Sequence, residues 1–388
     1  MPNKILFCAT VDYHFKAFHL PVMEWFKQQG WEVHIAAKGD MELPFADRKF
    51  NLPIERSPIH MNNSAAYREL KAIINEQQYK IIHCHTPTGG VLARLAAQEA
   101  RKKGTKVIYT AHGFHFCKGG SLLNWILYYP IEKYFARLTD YLITINNEDY
   151  QLAVSRRFKA KQIAHVHGVG VNTSNYKPMS KIDKWRLRQE LDYRTDDFLM
   201  FYAAEFNKNK NHQLLIQAMA AIKEEVPHAR LLLAGKGALL EESKQLAEQL
   251  GVGAMVHFLG YRTDIDKLLP MCDVAVASSL REGLPVNIME AMACGLPIVA
   301  TRNRGHSELV MDGENGYLVK ENQIKVFANK LVELSRSKSL REELGEKSGV
   351  MVKKYSLAQV ALELNDIYKS LMEQPQADNK ERLQWVVL

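Results

Sequence analysis

Short apolar runs alternate with helical patterns along most of this 388-residue chain. That alternation is typical of βαβ units, in which helices cover both faces of a parallel sheet. The first half contains five predicted strands: Ile5–Thr10, Glu32–Ala37, Ile81–Cys84, Val107–Thr110 and Tyr141–Ile145. The second half contains six: Phe198–Ala203, Arg230–Ala234, Met255–Phe258, Val274–Ala277, Pro297–Ala300 and Gly316–Val319. The sequence therefore predicts the α/β class, with two doubly wound, Rossmann-like domains.

A segment rich in glycine, His167–Pro178, separates the two series of strands. We predict an N-terminal domain over residues 1–175, a C-terminal domain over 176–356, a helix over 357–373 that crosses back to the first domain, and a tail over 374–388. Open α/β sheets bind ligands at the carboxyl ends of their strands. We therefore expect the two domains to face each other across a ligand-binding cleft.

The excess positive charge of the chain lies entirely in its first half. The net charge is +8, and residues 1–180 contain 23 Lys and Arg against 14 Asp and Glu. A strongly basic half of a chain attracts an anionic partner. The charge alone does not distinguish between a lipid surface, a diphosphate and a nucleic acid. Since the chain shows no known nucleic-acid-binding module, we do not expect it to bind nucleic acid.

The sequence favours a cytoplasmic protein. No apolar run reaches the roughly 18–20 residues of a membrane-spanning helix, and the N-terminus lacks the pattern of a signal peptide. The five cysteines form no CxxC pair and are predicted to be reduced: Cys8, Cys84, Cys117, Cys272 and Cys294.

An aromatic segment with basic residues, Ser121–Arg137, lies in the basic half. Trp and Tyr favour membrane interfaces, and basic side chains favour anionic lipid. We therefore expect peripheral association with the inner face of the cell membrane. Ordinary core packing remains an alternative explanation for this segment.

The most informative stretch is Arg281–Thr301. Pro285 suits the first turn of a helix of about ten residues, which Gly295 and Pro297 would end. The helix mouth at Gly283 and Leu284 would offer backbone N–H groups and the helix dipole to a diphosphate.

Two acidic residues flank that helix mouth and could accept hydrogen bonds from sugar and ribose hydroxyls: Glu282 and Glu290. The alternative is an amphipathic helix whose acidic residues are incidental. Glu290, however, lies among apolar neighbours, and a carboxylate in such surroundings usually has a partner.

This stretch resembles the E-x7-E signature of the retaining family 4 glycosyltransferases, which have the GT-B fold. Several other segments agree with that resemblance: Gly235–Gly237, Phe258–Tyr261, Cys272–Val274, Glu308 and Asp312–Gly316. The N-terminal segments Thr110–Phe116 and Tyr128–Tyr150 are similar to EpsD-type enzymes of bacterial exopolysaccharide and capsule operons. The resemblance spans about residues 3–372 and implies two Rossmann-like domains facing each other across a cleft.

The resemblance also implies roles for individual residues. Glu290 would bind the donor ribose, Glu282 would hold the transferring sugar, and Lys210 would pair with the donor phosphates. His112 would face the reacting centre, so His112, Glu282 and Lys210 form the predicted catalytic set. The remaining predicted donor contacts are Gly283, Leu284, Gly235, Gly237, Tyr261, Arg262, Lys208 and Arg281.

One departure from the family pattern concerns phosphate binding. Many relatives have Gly-Arg-Leu where this chain has Ala204-Glu205-Phe206. A carboxylate beside a diphosphate would be repulsive, so Glu205 should point elsewhere or pair with a neighbour. Lys208 or Arg281 would then supply the missing positive charge.

Polar residues after the first-half strands are candidates for the acceptor side. Asp12 and His14 follow the first strand, where the absence of G-x-G-x-x-G argues against NAD or FAD; an ordinary loop role is an equal alternative. His83 and His85 end a strand on one face, and His85 is predicted to contact the acceptor. Because no further ligands with matching spacing are evident, the sequence predicts no metal.

Asp264-Ile-Asp266 resembles a DxD metal motif from another glycosyltransferase fold. We interpret it instead as a helix cap with an acidic first turn.

Taken with the resemblance, these features predict transfer of a sugar, with an N-acetylhexosamine expected, from a UDP-sugar to a lipid-diphosphate-linked glycan. The resemblance implies retention at the anomeric carbon and no cofactor. Other polysaccharide biosynthesis enzymes are possible partners. Two alternatives remain: a UDP-sugar epimerase, or a catalytically inactive scaffold of a polysaccharide assembly complex.

Overall fold

A computed structural model describes residues 2–372, so the predicted tail over 374–388 lies outside the described residues. These residues form two compact units. Unit 1 comprises residues up to Ile145, residues 149–166 and the chain from Val360 onward. Unit 2 comprises residues 146–148 and 167–359.

Each unit is built on one parallel sheet. The seven strands of unit 1 are β1 (Lys4–Val11), β2 (Glu32–Lys38), β3 (Arg48–Asn51), β4 (Ile81–His85), β5 (Lys106–Ala111), β6 (Tyr141–Thr144) and β7 (Gln162–His165). The six strands of unit 2 are β8 (Phe198–Ala203), β9 (Ala229–Ala234), β10 (Val256–Gly260), β11 (Val274–Ala277), β12 (Ile298–Thr301) and β13 (Gly316–Val319).

Helices connect the strands throughout. In the first part of the chain they are α1 (Tyr13–Phe18), α2 (Leu20–Gln28), α3 (Asn62–Gln77), α4 (Pro87–Ala96), α5 (Gln98–Lys102), α6 (Leu122–Phe135) and α7 (Asn147–Ser155). The later ones are α8 (Lys181–Glu190), α9 (His212–Ile222), α10 (Leu240–Gln249), α11 (Ile265–Leu268), α12 (Val286–Ala293), α13 (Arg304–Leu309), α14 (Ile324–Arg336), α15 (Lys338–Met351) and α16 (Leu357–Met372). Short 3-10 turns occur at Ala136–Leu138, Gly253–Met255 and Val352–Tyr355.

Both sheets are doubly wound. The strand order is β3-β2-β1-β4-β5-β6-β7 in unit 1 and β10-β9-β8-β11-β12-β13 in unit 2. The order reverses between β1 and β4 and between β8 and β11, so these are the two topological switch points. Loops that leave neighbouring strands in opposite directions create a crevice there, where ligands of open α/β sheets bind.

Strand β1 shows why unit 1 folds this way. Its side chains alternate between the two faces of the sheet, with Leu6 and Cys8 in one buried cluster and Ile5 and Phe7 in the other. Helix α16 belongs to the second cluster from Val360 onward. A parallel sheet that is covered on both faces requires such continuous apolar runs.

The predicted fold class is confirmed, and each of the eleven predicted strands is present within a few residues of its expected bounds. Strands β3 and β7 were not predicted. Both are edge strands whose side chains are half-buried or exposed, so neither carries a continuous apolar run.

The five cysteines are all buried and form no disulfide. Within residues 2–372, no helix is long and apolar enough to cross a membrane.

A buried aspartate anchors the start of one strand in each unit. In unit 2, Asp273 precedes β11, accepts a hydrogen bond from the backbone N–H of Leu199 at 2.9 Å, and pairs with Arg188 at 2.8 Å and Lys184 at 3.0 Å. In unit 1, Asp140 plays the same part before β6. Each carboxylate ties two neighbouring strands together through charge-assisted hydrogen bonds.

We predict that Asp273→Ala lowers the free energy of unfolding by about 3–5 kcal/mol, because it leaves the buried guanidinium of Arg188 and the partly buried ammonium of Lys184 without their partner. Asp196→Ala is the matched control, since Asp196 pairs with Arg194 on the surface and should contribute less than about 1 kcal/mol. Thermal or urea unfolding measures both changes. Equal effects of the two substitutions would contradict the anchoring role.

Candidate functional site

The loops after β8 and β11 meet at the switch point of unit 2. Lys210 Nζ lies 2.5 Å from Glu282 Oε1, and both side chains are largely shielded from solvent. Asn209 Nδ2 donates to the carbonyl of Arg281 at 3.0 Å, and Leu280 N donates to the carbonyl of Asn209 at 2.8 Å. The structure therefore brings together two residues of the predicted catalytic set, Lys210 and Glu282, which are far apart in the sequence.

Hydroxyl and amide side chains form hydrogen bonds to the backbone of these two loops. Ser278 Oγ donates to the carbonyl of Lys210 at 2.7 Å. Thr301 Oγ1 and Asn303 Nδ2 both donate to the carbonyl of Ser279, at 2.6 and 2.8 Å. The sequence analysis did not identify these supporting residues, although each lies at or just beyond the carboxyl end of a strand.

Helix α13 packs directly against Glu282. The side chain of Asn303 caps this helix by accepting from the N–H of His306 at 3.0 Å, and Arg304 Nε donates to the carbonyl of Glu282 at 3.1 Å. A Cβ on Gly305 would lie 2.7 Å from Glu282 Cβ. Only a glycine there allows so close an approach, so the position of Glu282 is set by packing as well as by its ion pair.

Helix α12 follows Glu282. Pro285 is extended and acts as the N-cap, so the helix begins at Val286 and contains eight residues, which corrects the expected start at Pro285 and length of about ten. Gly295 has a φ of +71° just beyond the helix, as expected for a residue that ends a helix. Asn287 Nδ2 donates to the carbonyl of Ala203 at 3.0 Å, which ties the first turn to the end of β8.

Glu290 lies in the middle of α12. Burial raises the pKa of its carboxyl to about 7, and its hydrogen-bond partner is Tyr176. Its other hydrogen-bonding capacity is available to a ligand, and a small hydroxyl-bearing group would suit a carboxyl in these surroundings. Tyr176 was not predicted, because it belongs to the glycine-rich boundary segment and not to any strand or helix motif.

Two glycines after β9 allow the neighbouring loop to approach. Gly235 and Gly237 both have φ values of +155°. A Cβ would lie 2.0 Å from the carbonyl oxygen of Ala204 at the first and 2.4 Å from that of Phe206 at the second. The predicted glycine loop and the Ala204-Glu205-Phe206 loop are therefore packed backbone to backbone at the carboxyl edge of the sheet.

The side chain of Glu205 is exposed and accepts a hydrogen bond from Asn207 Nδ2 at 3.1 Å. The partner is an amide two residues away, so the expectation that Glu205 pairs with a neighbour is confirmed. Lys208 and Arg281 are both exposed. Both remain predicted phosphate contacts.

The loop after β10 carries the predicted nucleobase contacts. Tyr261 is exposed, and Arg262 pairs with Asp264 through two hydrogen bonds of 2.8 and 2.6 Å. Asp264 stands at the N-cap position of α11 but makes no side-chain capping bond. The predicted cap position and the acidic first turn at Asp266 are therefore confirmed, but the Asp264 carboxylate bonds to Arg262 and not to a backbone N–H of the helix.

The predicted acceptor residue Asp12 is engaged within unit 1. Its carboxylate accepts from Lys49 Nζ at 2.6 Å and from the N–H of Met41 at 2.8 Å. Burial raises the pKa of Asp12, but these hydrogen bonds and the charge of Lys49 outweigh it and lower the pKa. Its side chain holds a loop together, and an additional contact to acceptor stays a prediction.

The other predicted residues of unit 1 lie in one cluster of imidazoles. His85 Nδ1 lies 3.2 Å from His112 Nε2, and His14 Nε2 lies 3.1 Å from the Nε2 atom of His19. The expectation that His85 has no further metal-type ligands nearby is wrong, because the others come from separate segments. His19 was missed, since nothing in its local sequence marks it.

The comparisons with known proteins agree with this arrangement. EpsD, a glycosyltransferase of Bacillus subtilis (strain 168), is 50% identical over 382 residues, which cover 98% of this chain and 100% of the relative. The family model for glycosyl transferases group 1 matches residues 183–350, and the model for glycosyl transferase 4-like proteins matches residues 4–146. The chain belongs to the group 1 glycosyltransferase family.

More distant glycosyltransferases share the fold. The UDP-Gal:alpha-D-GlcNAc-diphosphoundecaprenol alpha-1,3-galactosyltransferase of Escherichia coli is 26% identical over 321 residues, covering 80% of this chain and 82% of the relative. The crystal structure of Anabaena Alr3699/HepE with UDP and glucose has a TM-score of 0.77 at 20% identity, covering 95% of this chain and 100% of that one. The expected GT-B architecture of two Rossmann-like domains is thereby confirmed.

The two family matches cover different units of this glycosyltransferase, and each match contains some of the predicted site residues. The match over residues 183–350 contains Lys210, Glu282 and Glu290, and the match over residues 4–146 contains the histidine cluster.

Proposed function

We propose that this glycosyltransferase moves a sugar, most simply an N-acetylhexosamine, from a UDP-sugar to a lipid-diphosphate-linked glycan in exopolysaccharide or capsule biosynthesis. The observation that carries this proposal is the Lys210–Glu282 pair at the switch point of unit 2, followed by Glu290 on helix α12. A cation, a helix N-terminus and two carboxyl groups at one crevice match the parts of a nucleotide-sugar.

The phosphates are the first part. Lys210 supplies a positive charge, and the first turn of α12 supplies backbone N–H groups and the positive end of the helix dipole. The neighbour Alr3699/HepE was crystallised with UDP and with UDP-glucose, which supports UDP as the nucleotide. Binding of a diphosphate would also release Glu282 from Lys210, because the phosphate oxygens compete for the same ammonium group.

The sugar and ribose are the second part. Released from Lys210, Glu282 would accept hydrogen bonds from hydroxyls of the transferring sugar, and Glu290 would accept them from the ribose. The backbone around Tyr261 and Arg262 would bind the base, and Gly235 and Gly237 keep that edge of the sheet free of side chains.

The chemistry then depends on stabilising the leaving nucleoside diphosphate, whose negative charge grows as the glycosidic bond breaks. In the proposal, Lys210 and α12 stabilise this negative charge, and the donor site needs no metal or other cofactor. Retention at the anomeric carbon follows from the family resemblance, with the acceptor attacking on the face that the diphosphate leaves. His112 is assigned to the acceptor side.

The acceptor assignment rests on relatives. The Escherichia coli relative acts on a GlcNAc-diphosphoundecaprenol, and CapM of Staphylococcus aureus, 23% identical over 378 residues, belongs to capsular polysaccharide biosynthesis. The acceptor of the Escherichia coli relative supports a lipid-diphosphate-linked glycan, and CapM supports the polysaccharide context.

The donor assignment predicts a pH dependence. If the ribose binds only the ionised form of Glu290, whose pKa burial raises to about 7, affinity for UDP-glucose should rise as pH increases through 7. Between pH 6 and 8 the ionised fraction grows about tenfold, and the apparent affinity follows that fraction. UDP-glucose suits calorimetry here because its phosphates are diesters that do not titrate in this range.

Glu290→Gln should bind UDP-glucose weakly and with no rise in affinity between pH 6 and 8, while remaining folded. Glu241→Gln, which changes an exposed carboxylate on α10, should keep the wild-type profile. A wild-type pH profile in Glu290→Gln would refute the ribose assignment.

We also propose that this enzyme works at a membrane surface, and α6 is the structural reason. One face of the helix is apolar and exposed, with Leu122 at 80%, Ile126 at 69%, Leu123 at 63% and Leu127 at 50% exposure. The opposite face buries the charged Glu132, which accepts hydrogen bonds from Arg94 and Tyr109.

Such an arrangement is the reverse of an ordinary surface helix, in which the apolar face points to the core. Basic residues lie near this helix in the sequence: Lys118 before it, Lys133 in its last turn and Arg137 just after it. Together with the positive charge of the first half of the sequence, they favour an anionic lipid surface at which the leucine and isoleucine side chains can insert. This location would also present the enzyme to a lipid-linked acceptor.

Leu123→Glu/Ile126→Glu should abolish co-sedimentation with vesicles that contain anionic lipid, because the substitutions place charge at the point of insertion. Ile59→Glu is the matched control, since Ile59 is 91% exposed elsewhere in unit 1. The control should sediment as the wild type does. Sedimentation of the double variant at the wild-type level would contradict a role of α6 in docking.

A further inference from the structure

Four histidines of unit 1 converge at its topological switch point. His14 lies in α1, His19 lies between α1 and α2, His85 ends β4, and His112 follows β5. One ring nitrogen from each residue lies within 4.8 Å of the chosen nitrogen of every other. We propose that these four imidazoles bind one divalent transition-metal ion, with Zn²⁺ as the best match.

The distances fit a tetrahedral ion. With Zn–N bonds of about 2.0–2.1 Å, two ligands of a tetrahedral zinc lie about 3.3–3.4 Å apart. The Nε2 atoms of His14 and His19 lie 3.1 Å apart. The remaining pairs are within 4.8 Å, so small rotations of the rings would complete the coordination sphere.

The protonation state also fits. Burial lowers the pKa of His14 to about 4 and lowers the pKa of the other three histidines well below the ordinary value. Burial therefore favours the neutral form of each ring, which is the form in which imidazole binds a metal.

The fully buried His85 provides a separate observation. Its Nε2 atom has no hydrogen-bond partner among the described residues, and a buried polar atom without a partner is costly. The described protein groups therefore provide no hydrogen-bond partner for the Nε2 atom of this ring. Metal binding to the cluster, with a small rotation of the ring, would offset that cost.

A neighbouring histidine shows the alternative of a purely structural role. His83 stands two residues before His85 on the same strand, but its Nδ1 bonds to the hydroxyl of Tyr368 at 2.7 Å and its Nε2 to that of Thr110 at 2.8 Å. Both of its nitrogens are satisfied by hydroxyl groups. The rings of the four-histidine cluster contact each other instead, as metal ligands do.

The donor set selects the ion. Imidazole nitrogens favour Zn²⁺, Cu²⁺ and Ni²⁺ over Mg²⁺, Ca²⁺ and Mn²⁺, which prefer oxygen ligands. The nearest carboxylate in the sequence, Asp12, is already held by Lys49 and Met41. With four protein ligands the site would be closed. His85 and His112 would then act as metal ligands, in place of the direct substrate contacts predicted from the sequence, and the ion would fix the first helix to the ends of β4 and β5.

The test uses the full chain, purified without a histidine tag, stripped with a chelator and titrated with Zn²⁺ and then separately with Co²⁺. We expect one ion per chain by elemental analysis, and a rise in the thermal midpoint that saturates at one equivalent. Co²⁺ should give the intense visible absorption of a four-coordinate site. Failure of the folded wild-type chain to take up either metal would overturn the proposal.

Substitutions distinguish metal binding at the four-histidine cluster from metal binding at histidines on the surface. His14 and His112 are only half-buried, so His14→Asn and His112→Asn should fold, and each should weaken metal binding by more than about a hundredfold, beyond the loss of an outer hydrogen-bond partner. His60→Asn, at an exposed histidine of the same unit, should bind as the wild type does. Unchanged uptake in both cluster variants would equally overturn the proposal.

Discussion

The ion pair between Lys210 and Glu282 depends on the strand order of unit 2, and the donor site depends on that pair. Because the strand order reverses between the parallel neighbours β8 and β11, the loops after these two strands begin side by side. Lys210 lies on one loop and Glu282 on the other, 2.5 Å apart. In the proposed function, the diphosphate takes over the lysine and frees the carboxylate for the sugar.

The surrounding structure fixes this pair in place. Hydrogen bonds from Ser278 and Asn209 hold the two loops, and the close approach of Gly305 sets Glu282 against α13. Helix α12 then carries Glu290 into apolar surroundings that raise its pKa to about 7. A protonated carboxyl is easier to bury than a charged one. In the proposed function, the helix therefore keeps Glu290 in its buried face until the ribose arrives.

Much of this could be predicted from the sequence, for physical reasons that differ between features. Buried parallel strands are continuous apolar runs, so their positions could be predicted from the sequence. The polar edge strand at Arg48–Asn51 has no such run and could not be predicted. The acids at Glu282 and Glu290 belong to one local motif and were found with it. Tyr176 and His19 were not found, and the grouping of His14, His85 and His112 with His19 was not foreseen, because these residues come from separate segments that only the folded chain brings together.

Asp264 shows that the local sequence alone does not determine the hydrogen-bond partner of a side chain. Its position before α11 was right, but the competition between a backbone N–H and the guanidinium of Arg262 depends on geometry. The same holds for Asp12, whose partner Lys49 comes from a different strand. In both cases the residue type suggested several partners, and the fold selected one.

The most direct test of the account compares the affinities of UDP and uridine for the wild type and for Lys210→Met. If Lys210 binds the donor phosphates, the substitution should weaken UDP binding by about tenfold to a hundredfold, the value of one charged hydrogen bond, and leave uridine binding unchanged. Lys244→Met, an exposed lysine of the same unit, should change neither. Equal affinity of UDP for Lys210→Met and the wild type would contradict the central role of the Lys210–Glu282 pair.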